Sequence, residues 1–411
     1  MIYVQRTLGP VLRSYLRTFP AVMVWGPRQC GKSTFVLNEL PEFRHYDLER
    51  PADLNLITSD PELFFAEHPD ALCVDEAQRY PELFSVLRHV IDKDRRNGRF
   101  VLLGSSGPLL LRTISETLAG RIGILELTPF SALELTGRVS WQERWMWGGL
   151  PPIHDLDTVR RRIDWLESYL RTLLERDLPL AGVRVPAARL LRFWTMLSYV
   201  HGQLLNTSTL ARSLELSTTA ITNYLDVLEG ALLIRRLQPF FANIGKRLVK
   251  RPKVYVRDTG MLHRLAGLRS SEELELWPGR GNSFEGLVVE ELIAQASVKL
   301  TAPRFFYYRT QAGAEVDLLI QEGQRITPIE IKLGIDVSPY DIVGLKHCLQ
   351  DLGLERGFVV TRGREARSLG PGIETLPWEA LVSGDGGLWT WTDLGNFRSP
   401  PPTPAGLAHR A

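Results

Sequence analysis

The chain has 411 residues, a formal net charge of +2, and the 23% charged and 44% hydrophobic content of an ordinary soluble globular protein. That length predicts two to four domains, and so small a net charge says nothing of partners except where charges cluster locally. Three widely spaced cysteines, Cys30, Cys73 and Cys348, exclude a disulfide scaffold and fit a reducing compartment. No stretch approaches the length of a membrane span and residues 1–6 do not open a leader, so a cytoplasmic location and no membrane partner are expected.

The first predicted element is an apolar, β-prone strand over residues 21–25, and a helix opens at residue 34. Between them, residues 26–33 read Gly-Pro-Arg-Gln-Cys-Gly-Lys-Ser, the phosphate-loop pattern G-x-x-x-x-G-K-S in its strand–loop–helix setting. The glycines let the backbone wrap phosphates closely, and successive N–H groups form an anion nest at the helix start. The expected nucleotide contacts are Gly26, Pro27, Arg28, Gln29, Cys30, Gly31, Lys32, Ser33 and Thr34. Lys32 would sit on the β- and γ-phosphates and Ser33 on Mg²⁺, so ATP and Mg²⁺ are the expected cofactors.

A second apolar strand, residues 71–74, ends in Asp75 and Glu76. Asp75 would hold Mg²⁺, mostly through water, and Glu76 would orient or deprotonate the attacking water. A third strand over residues 99–104 leads to Ser105 and Ser106, either of which could sense the γ-phosphate or cap the next helix. Arg121 lies between a helix and a strand with no acid in its own turn, and could reach a phosphate across a subunit boundary; Arg112 is the reserve.

Beyond Pro129 come Trp141, Trp145 and Trp147, expected in a core, and a Gly-Gly-Leu-Pro-Pro turn at 148–152. Helical spacing of Ile163, Leu166, Tyr169, Leu170, Leu173 and Leu174 predicts a helical lid over residues 136–185. Residues 209–229 read as helix, short turn, helix, followed by strands at 232–237 and 253–256, a winged-helix plan for residues 186–270. The segment between those strands is basic. Lys246, Arg247, Lys250, Arg251 and Lys253, with Arg257 beyond them, are expected to contact DNA phosphates.

The last predicted domain, residues 271–385, places Glu285 on an apolar helix, Asp317 on one strand, and Glu330 with Lys332 on the next. Alternation along that strand puts Glu330 and Lys332 on one face. This set could hold a divalent metal, with Glu285, Asp317 and Glu330 as ligands and Lys332 activating a water against a phosphodiester. Residues 386–411 are proline-rich and are expected to be disordered.

Residues 26–33, Val74-Asp75-Glu76-Ala77-Gln78, Leu118-Ala119-Gly120-Arg121, Glu175-Arg176-Asp177, Asp258-Thr259-Gly260, Glu315-Val316-Asp317 and Glu330-Ile331-Lys332 carry a resemblance. To about residue 385 the chain resembles the bacterial and archaeal ATPases that join an AAA-type P-loop domain to a C-terminal DUF4143 domain. The resemblance implies an α/β architecture with an AAA+-type ATPase domain (residues 1–135), the lid, the winged helix and a restriction-endonuclease-like domain of PD-(D/E)xK type. It also implies a homo-oligomer, such as a hexameric ring, with Arg121 as a finger acting between subunits. The expected function is an ATP-hydrolysing motor that translocates on or remodels forked or branched DNA, recognised by structure. Two rival expectations are an ATP-gated, metal-dependent nuclease and a STAND-like signalling switch that binds protein.

Overall fold

The structure, a computed structural model, describes residues 3–105, 114, 116–240 and 248–383. Its N-terminal layer is a five-stranded parallel sheet of order β2-β3-β4-β1-β5. The strands are β1 (Ala21–Gly26), β2 (Arg44–Asp47), β3 (Leu72–Asp75), β4 (Phe100–Ser105) and β5 (Ile122–Glu126). β1 is buried along its whole length, as a central strand covered on both faces must be. Alternate residues feed two apolar cores, Ala21, Met23 and Trp25 on one face and Val22 and Val24 on the other. Helices α1 (Gly9–Thr18), α2 (Lys32–Glu39), α3 (Pro51–Ser59), α4 (Pro61–Glu67) and α5 (Leu83–Lys93) flank this sheet.

The next segment begins with α6 (Trp141–Trp147) and α7 (Val159–Thr172), and the helical run continues through a π-helical turn, Leu173–Asp177. Then come α8 (Ala187–Tyr199), α9 (Thr207–Leu214) and α10 (Thr218–Gly230). Ser217 caps α10 by accepting from the Ala220 amide, and Glu215 takes a left-handed conformation (φ 57°) that turns the chain between α9 and α10. A small antiparallel sheet, order β6-β8-β7, closes this middle module: β6 (Gln203–Leu204), β7 (Ile234–Leu237) and β8 (Lys253–Val256).

The C-terminal module has helices α11 (Thr259–Leu265) and α12 (Ser271–Leu276) leading into a 20-residue helix, α13 (Arg280–Lys299). Its six-stranded sheet has the order β13-β14-β12-β11-β10-β9. These strands are β9 (Arg304–Arg309), β10 (Glu315–Glu322), β11 (Arg325–Ile331), β12 (Gly357–Thr361), β13 (Ser368–Gly370) and β14 (Ile373–Pro377). Helices α14 (Val343–Leu352) and α15 (Trp378–Val382) complete it. The outer edge of β9 is covered, because the Phe240 amide donates to Tyr307 O (2.7 Å) and the Val249 amide to Arg309 O (3.0 Å).

One apolar core runs unbroken from the tryptophan segment through the middle module into the C-terminal sheet, whereas the N-terminal sheet has cores of its own. Trp145 sits at its centre, 2% exposed, against Trp141, His263 and Phe284. A hydrogen-bond chain crosses it: Trp145 Nε1 donates to Ser283 Oγ (2.9 Å), which contacts His263 Nε2 (2.7 Å), while His263 Nδ1 meets Met146 O (2.9 Å). A carbonyl can only accept, so Nδ1 carries the proton and Nε2 accepts from Ser283. Burial lowers the His263 pKa to about 4 from an ordinary 6.5.

The unfolded chain therefore takes up a proton that the fold refuses. The His263 contribution to stability is fully present above pH 6.5 and is lost as pH falls toward 4. His263→Gln should flatten the pH dependence of stability in that window by about 1.4 kcal/mol per pH unit. Urea midpoints at pH 7 and pH 5 for both proteins check this, and equal slopes would refute a neutral His263.

Candidate nucleotide site

The loop between β1 and α2 takes the shape that its sequence demands. Gly31 has φ 93° and Gln29 φ 62°, so the backbone curls through left-handed conformations. A Cβ on Gly26 would lie 2.4 Å from Leu127 O, which leaves no room for any other residue. α2 starts at Lys32 with no side-chain cap, so its first N–H groups face the loop with no intrahelical acceptor, ready for an anion. Cys30 is fully buried, and burial raises its thiol pKa, so it packs and does not react.

Lys32 is 6% exposed, and its Nζ donates to the carbonyls of Gly26 and Pro27, both at 3.2 Å, which points it along the loop. Ser33 Oγ donates to Asp75 Oδ2, and Asp75 Oδ1 accepts from the Glu76 amide at 2.8 Å. Burial raises the Asp75 pKa against the opposing Ser33 and Glu76 hydrogen bonds. This hydroxyl–carboxylate pair is a hard oxygen donor set of the kind that Mg²⁺ takes alongside phosphates. Glu76 has φ 52° and ψ 42°, an uncommon conformation for a side chain of its kind, and its Oε2 accepts from Gln78 Nε2. Ser105 pairs in register with Gly26 across β4 and β1, beside the start of the loop. Ser106 and Arg112 lie outside the described residues.

Arg121 is engaged within its own chain. Its Nε and Nη2 donate to the Asp92 carboxylate at 2.7 and 2.8 Å, and Nη1 to Ala119 O at 3.0 Å. The acid comes from α5, 29 residues upstream, which a search of Arg121's own turn misses.

Sequence reasoning gave Arg28 no partner outside the loop. Arg28 Nε pairs with Asp177 at 3.2 Å, its Nη2 with Glu49 at 3.2 Å, and its carbonyl accepts from Tyr169 Oη at 3.2 Å. The loop is thus tied to α7 and to the π-helical turn behind it. Arg6 braces the other side, donating to Cys30 O (3.0 Å) and Thr128 O (2.5 Å) and pairing with Glu134 at 3.1 Å. Asp258 accepts from the Gly149 amide at 2.7 Å while capping α11, and Glu291 accepts from the Ala132 and Leu133 amides at 2.7 and 3.3 Å. The Tyr169, Asp258 and Glu291 contacts span more than 100 residues, and the Asp177 and Asp258 stretches carried a sequence signal.

The basic segment needs correction at Lys253. It is 2% exposed, with its Nζ 2.9 Å from Glu285 Oε1, 2.6 Å from Glu315 Oε1 and 2.9 Å from Asp317 Oδ1, so it reaches no DNA phosphate. Burial pulls its pKa down, but Asp317, Glu285 and Glu315 outweigh it and raise it well above the usual lysine value. Arg257 is likewise turned inward, paired with Glu126 on β5 and with Glu290 on α13 (2.9 Å). Lys250 and Arg251 are exposed, and Lys246 and Arg247 lie outside the described residues.

The expected metal set is corrected by the same lysine. Glu285 and Asp317 do converge, but on an ammonium, while Glu330 pairs with Lys332 at 2.8 Å. No group of three or more histidine, cysteine, aspartate or glutamate side chains among the described residues is arranged to hold a metal ion as it stands. Burial and the neighbouring Asp317 push the Glu285 pKa up to about 7 and that of Glu330 well above the carboxylate range.

Sheet order, loop and carboxylates together define an AAA-type P-loop nucleotide-binding domain. Residues 18–136 match the AAA domain model, residues 138–272 a domain of unknown function (DUF8612), and residues 280–381 a domain of unknown function (DUF4143). The chain belongs to the family that joins an AAA domain to a C-terminal DUF4143 domain. It is 39% identical over 387 residues to the uncharacterized proteins Rv2008c of Mycobacterium tuberculosis and Mb2031c of Mycobacterium bovis, matching 93% of this chain and 86% of each relative. Among solved structures it is similar to the Walker-type ATPase PABY2304 of Pyrococcus abyssi, with 15% identity, a TM-score of 0.46, and 63% of this chain and 94% of that one covered. It is also similar to the RuvB Holliday junction branch migration motor of Thermotoga maritima, with 19% identity, a TM-score of 0.28, and 56% and 88% covered. Among the described residues no helix is long and apolar enough to cross a membrane.

Proposed function

We propose that the chain is a Mg²⁺-dependent ATP hydrolase that couples turnover to movement of the lid and the modules behind it, and that it acts on forked or branched DNA. The observation that carries the reading is the meeting of Lys32, Ser33, Asp75 and Glu76 at one end of the sheet, with Arg28 of the same loop paired to Asp177. Lys32 and the loop amides hold the β- and γ-phosphates, and Glu76 orients the water that attacks the γ-phosphorus and takes its proton. Mg²⁺, held by Ser33 and Asp75, would supply charge neutralisation between those phosphates. Departure of the γ-phosphate changes the charge that Arg28 faces. The Arg28–Asp177 and Tyr169–Arg28 contacts pass that change to the lid. In an oligomer, Arg121 exchanges Asp92 for a neighbouring subunit's nucleotide.

We read α8–α10 with the β6-β8-β7 sheet as a winged helix and the C-terminal module as nuclease-like in fold. The exposed Lys250 and Arg251 support DNA phosphate contact through the wing. The inward turn of Lys253 weighs against a nuclease. It also narrows the basic face, and with the shared core this favours a second reading, an ATP-controlled switch that binds a protein partner. ATPase rates without DNA and with single-stranded, duplex, forked and four-way-junction DNA separate the two. Stimulation by branched DNA, lost in Lys250→Glu/Arg251→Glu and weakened by salt, supports the DNA reading; a flat response sinks it and leaves the switch.

A further inference from the structure

Helix α8 carries its arginines where its own backbone disfavours them. From Leu178 to Leu214 the chain has no acid, and Arg184, Arg189 and Arg192 gather at the N-terminal end of α8. The helix dipole favours carboxylates there, and two cations three residues apart are surface neighbours that repel. All three are exposed, and none has an ion-pair or side-chain hydrogen-bond partner among the described residues. The arrangement costs the helix and suits an anion outside it.

The buried face of α8, with Leu190, Phe193, Trp194 and Leu197, packs on the core, Phe193 meeting Tyr224 of α10. Helical spacing turns Ala188, Arg192, Thr195 and Tyr199 toward the outward side. Ala188 and Thr195 are small, so Arg192 and Tyr199 stand proud of that face, about 10 Å apart along the axis. Tyr199 is 63% exposed.

Tyr199 is also one wall of a cleft of about 350 Å³, within the size range of small-molecule sites. His201 and Gln203 continue its wall, and Trp277 and Asn282 line it from the approach to α13. Asn282 Nδ2 ties the two sides together by donating to His201 O at 2.9 Å. Trp277 meets His263 at a near-right angle, centroids 6.0 Å apart, and a Cβ on Gly279 would lie 2.5 Å from its ring. The cleft thus offers a fixed indole, an exposed phenol and the exposed amide of Gln203, which can both donate and accept.

Cations leading to aromatic faces are the grip for a single nucleic-acid strand, phosphates on the cations and bases on the rings. A duplex keeps its bases stacked inside and has no use for Tyr199 and Trp277. An acidic protein segment would answer the arginines alone. Acidic α12 lies just before Trp277, which leaves the arginine side as the entry for phosphates.

We propose that the outward face of α8 and the cleft at its end bind single-stranded DNA. Arg184, Arg189 and Arg192 hold its phosphates, and a base stacks on Tyr199 at the mouth of the cleft. The proposal rests on the DNA reading above and places a contact on a surface other than the wing.

The test titrates the full chain, without nucleotide, into a fluorescent oligothymidylate, a duplex and a four-way junction. Tyr199→Ala should weaken the single-strand complex roughly 5–150-fold, the range of base–aromatic stacking, while Tyr199→Phe keeps the ring and stays near wild type. Arg189→Ala/Arg192→Ala should lower the slope of log affinity against log salt by about 1.4. Unchanged urea midpoints check that these surface variants remain folded. If wild type binds DNA and neither the Tyr199 nor the arginine variant loses single-strand affinity, this proposal alone is overturned. If wild type binds no form of DNA, the DNA reading falls and this proposal falls with it. Equal affinity for an acidic peptide, unmoved by Tyr199→Ala, would assign the arginines to a protein partner and also overturn it.

Discussion

Glu76→Gln should slow ATP hydrolysis by roughly 10²–10⁴-fold while leaving Mg²⁺–ATP binding close to wild type. The substitution keeps size and hydrogen-bonding reach but removes the carboxylate proposed above to accept the proton of an attacking water. Glu76 is held by an uncommon backbone conformation and by a neighbour. Its left-handed backbone lifts it off the end of β3, and Gln78 Nε2 holds one carboxylate oxygen. The proposed phosphate grip lies elsewhere, on Lys32 and the start of α2, which is why binding should survive. Lys32→Ala should do the reverse and lose binding itself. Single-turnover hydrolysis and equilibrium binding of a fluorescent ATP, run on both variants, separate the roles. A Glu76→Gln protein that turns over within threefold of wild type would falsify the proton-acceptor assignment.

Arg257→Met should destabilise the folded chain by about 3 kcal/mol, near the lower end of what breaking one side of a buried ion pair costs. The Arg257 side chain is 8% exposed and joins all three parts of the molecule: its own strand end, Glu126 on the edge of the N-terminal sheet, and Glu290 on α13. Arg235 pairs with the same Glu290. Burial would raise the Glu290 pKa, but Arg235 and Arg257 overrule it and bring it down to about 2, so it stays charged and would be left half-paired. Urea unfolding followed by the chain's 10 tryptophans gives the loss in stability. A double-mutant cycle with Glu290→Gln isolates the pair. Because a chain of several modules need not unfold in one step, the midpoints of each transition are compared and not a single extrapolated value. A coupling below about 1 kcal/mol, the range of exposed pairs, would mean that the shared core holds the junction without help from these charges.

What could be read from the residues alone follows the range of the interactions. The phosphate loop, the Asp75–Glu76 strand end and the β10–β11 pairing are local patterns, and each lies where its spacing put it. The partners of buried cations are not local. Lys253 sits in a basic run, and a run of cations reads as a solvated surface. Yet Lys253-Val254-Tyr255-Val256 is buried at every position, and the period-two alternation that puts Lys253 and Tyr255 on one face brings both to Glu285. The available hint was a lysine opening an otherwise apolar strand. Arg121 and Arg28 were legible as candidates, but their partners Asp92 and Asp177 belong to helices whose packing no periodicity specifies. The division at residues 185 and 270 follows turn signals and composition, while the core behind those residues is continuous, because facing side chains and not chain breaks decide where apolar surface is buried.

The position of Lys253 also has a consequence for synthesis. Lys253 leaves the ribosome 64 residues ahead of Asp317, a lag of roughly 3–13 s at ordinary elongation rates. For that interval the emerging middle segment holds an ammonium with no acids to meet it and an apolar face whose other half is still being made. The nascent chain therefore has to wait, open, for its own C-terminus. Chains cut short before residue 317 should be taken by holding chaperones and proteases, while full-length chains escape them.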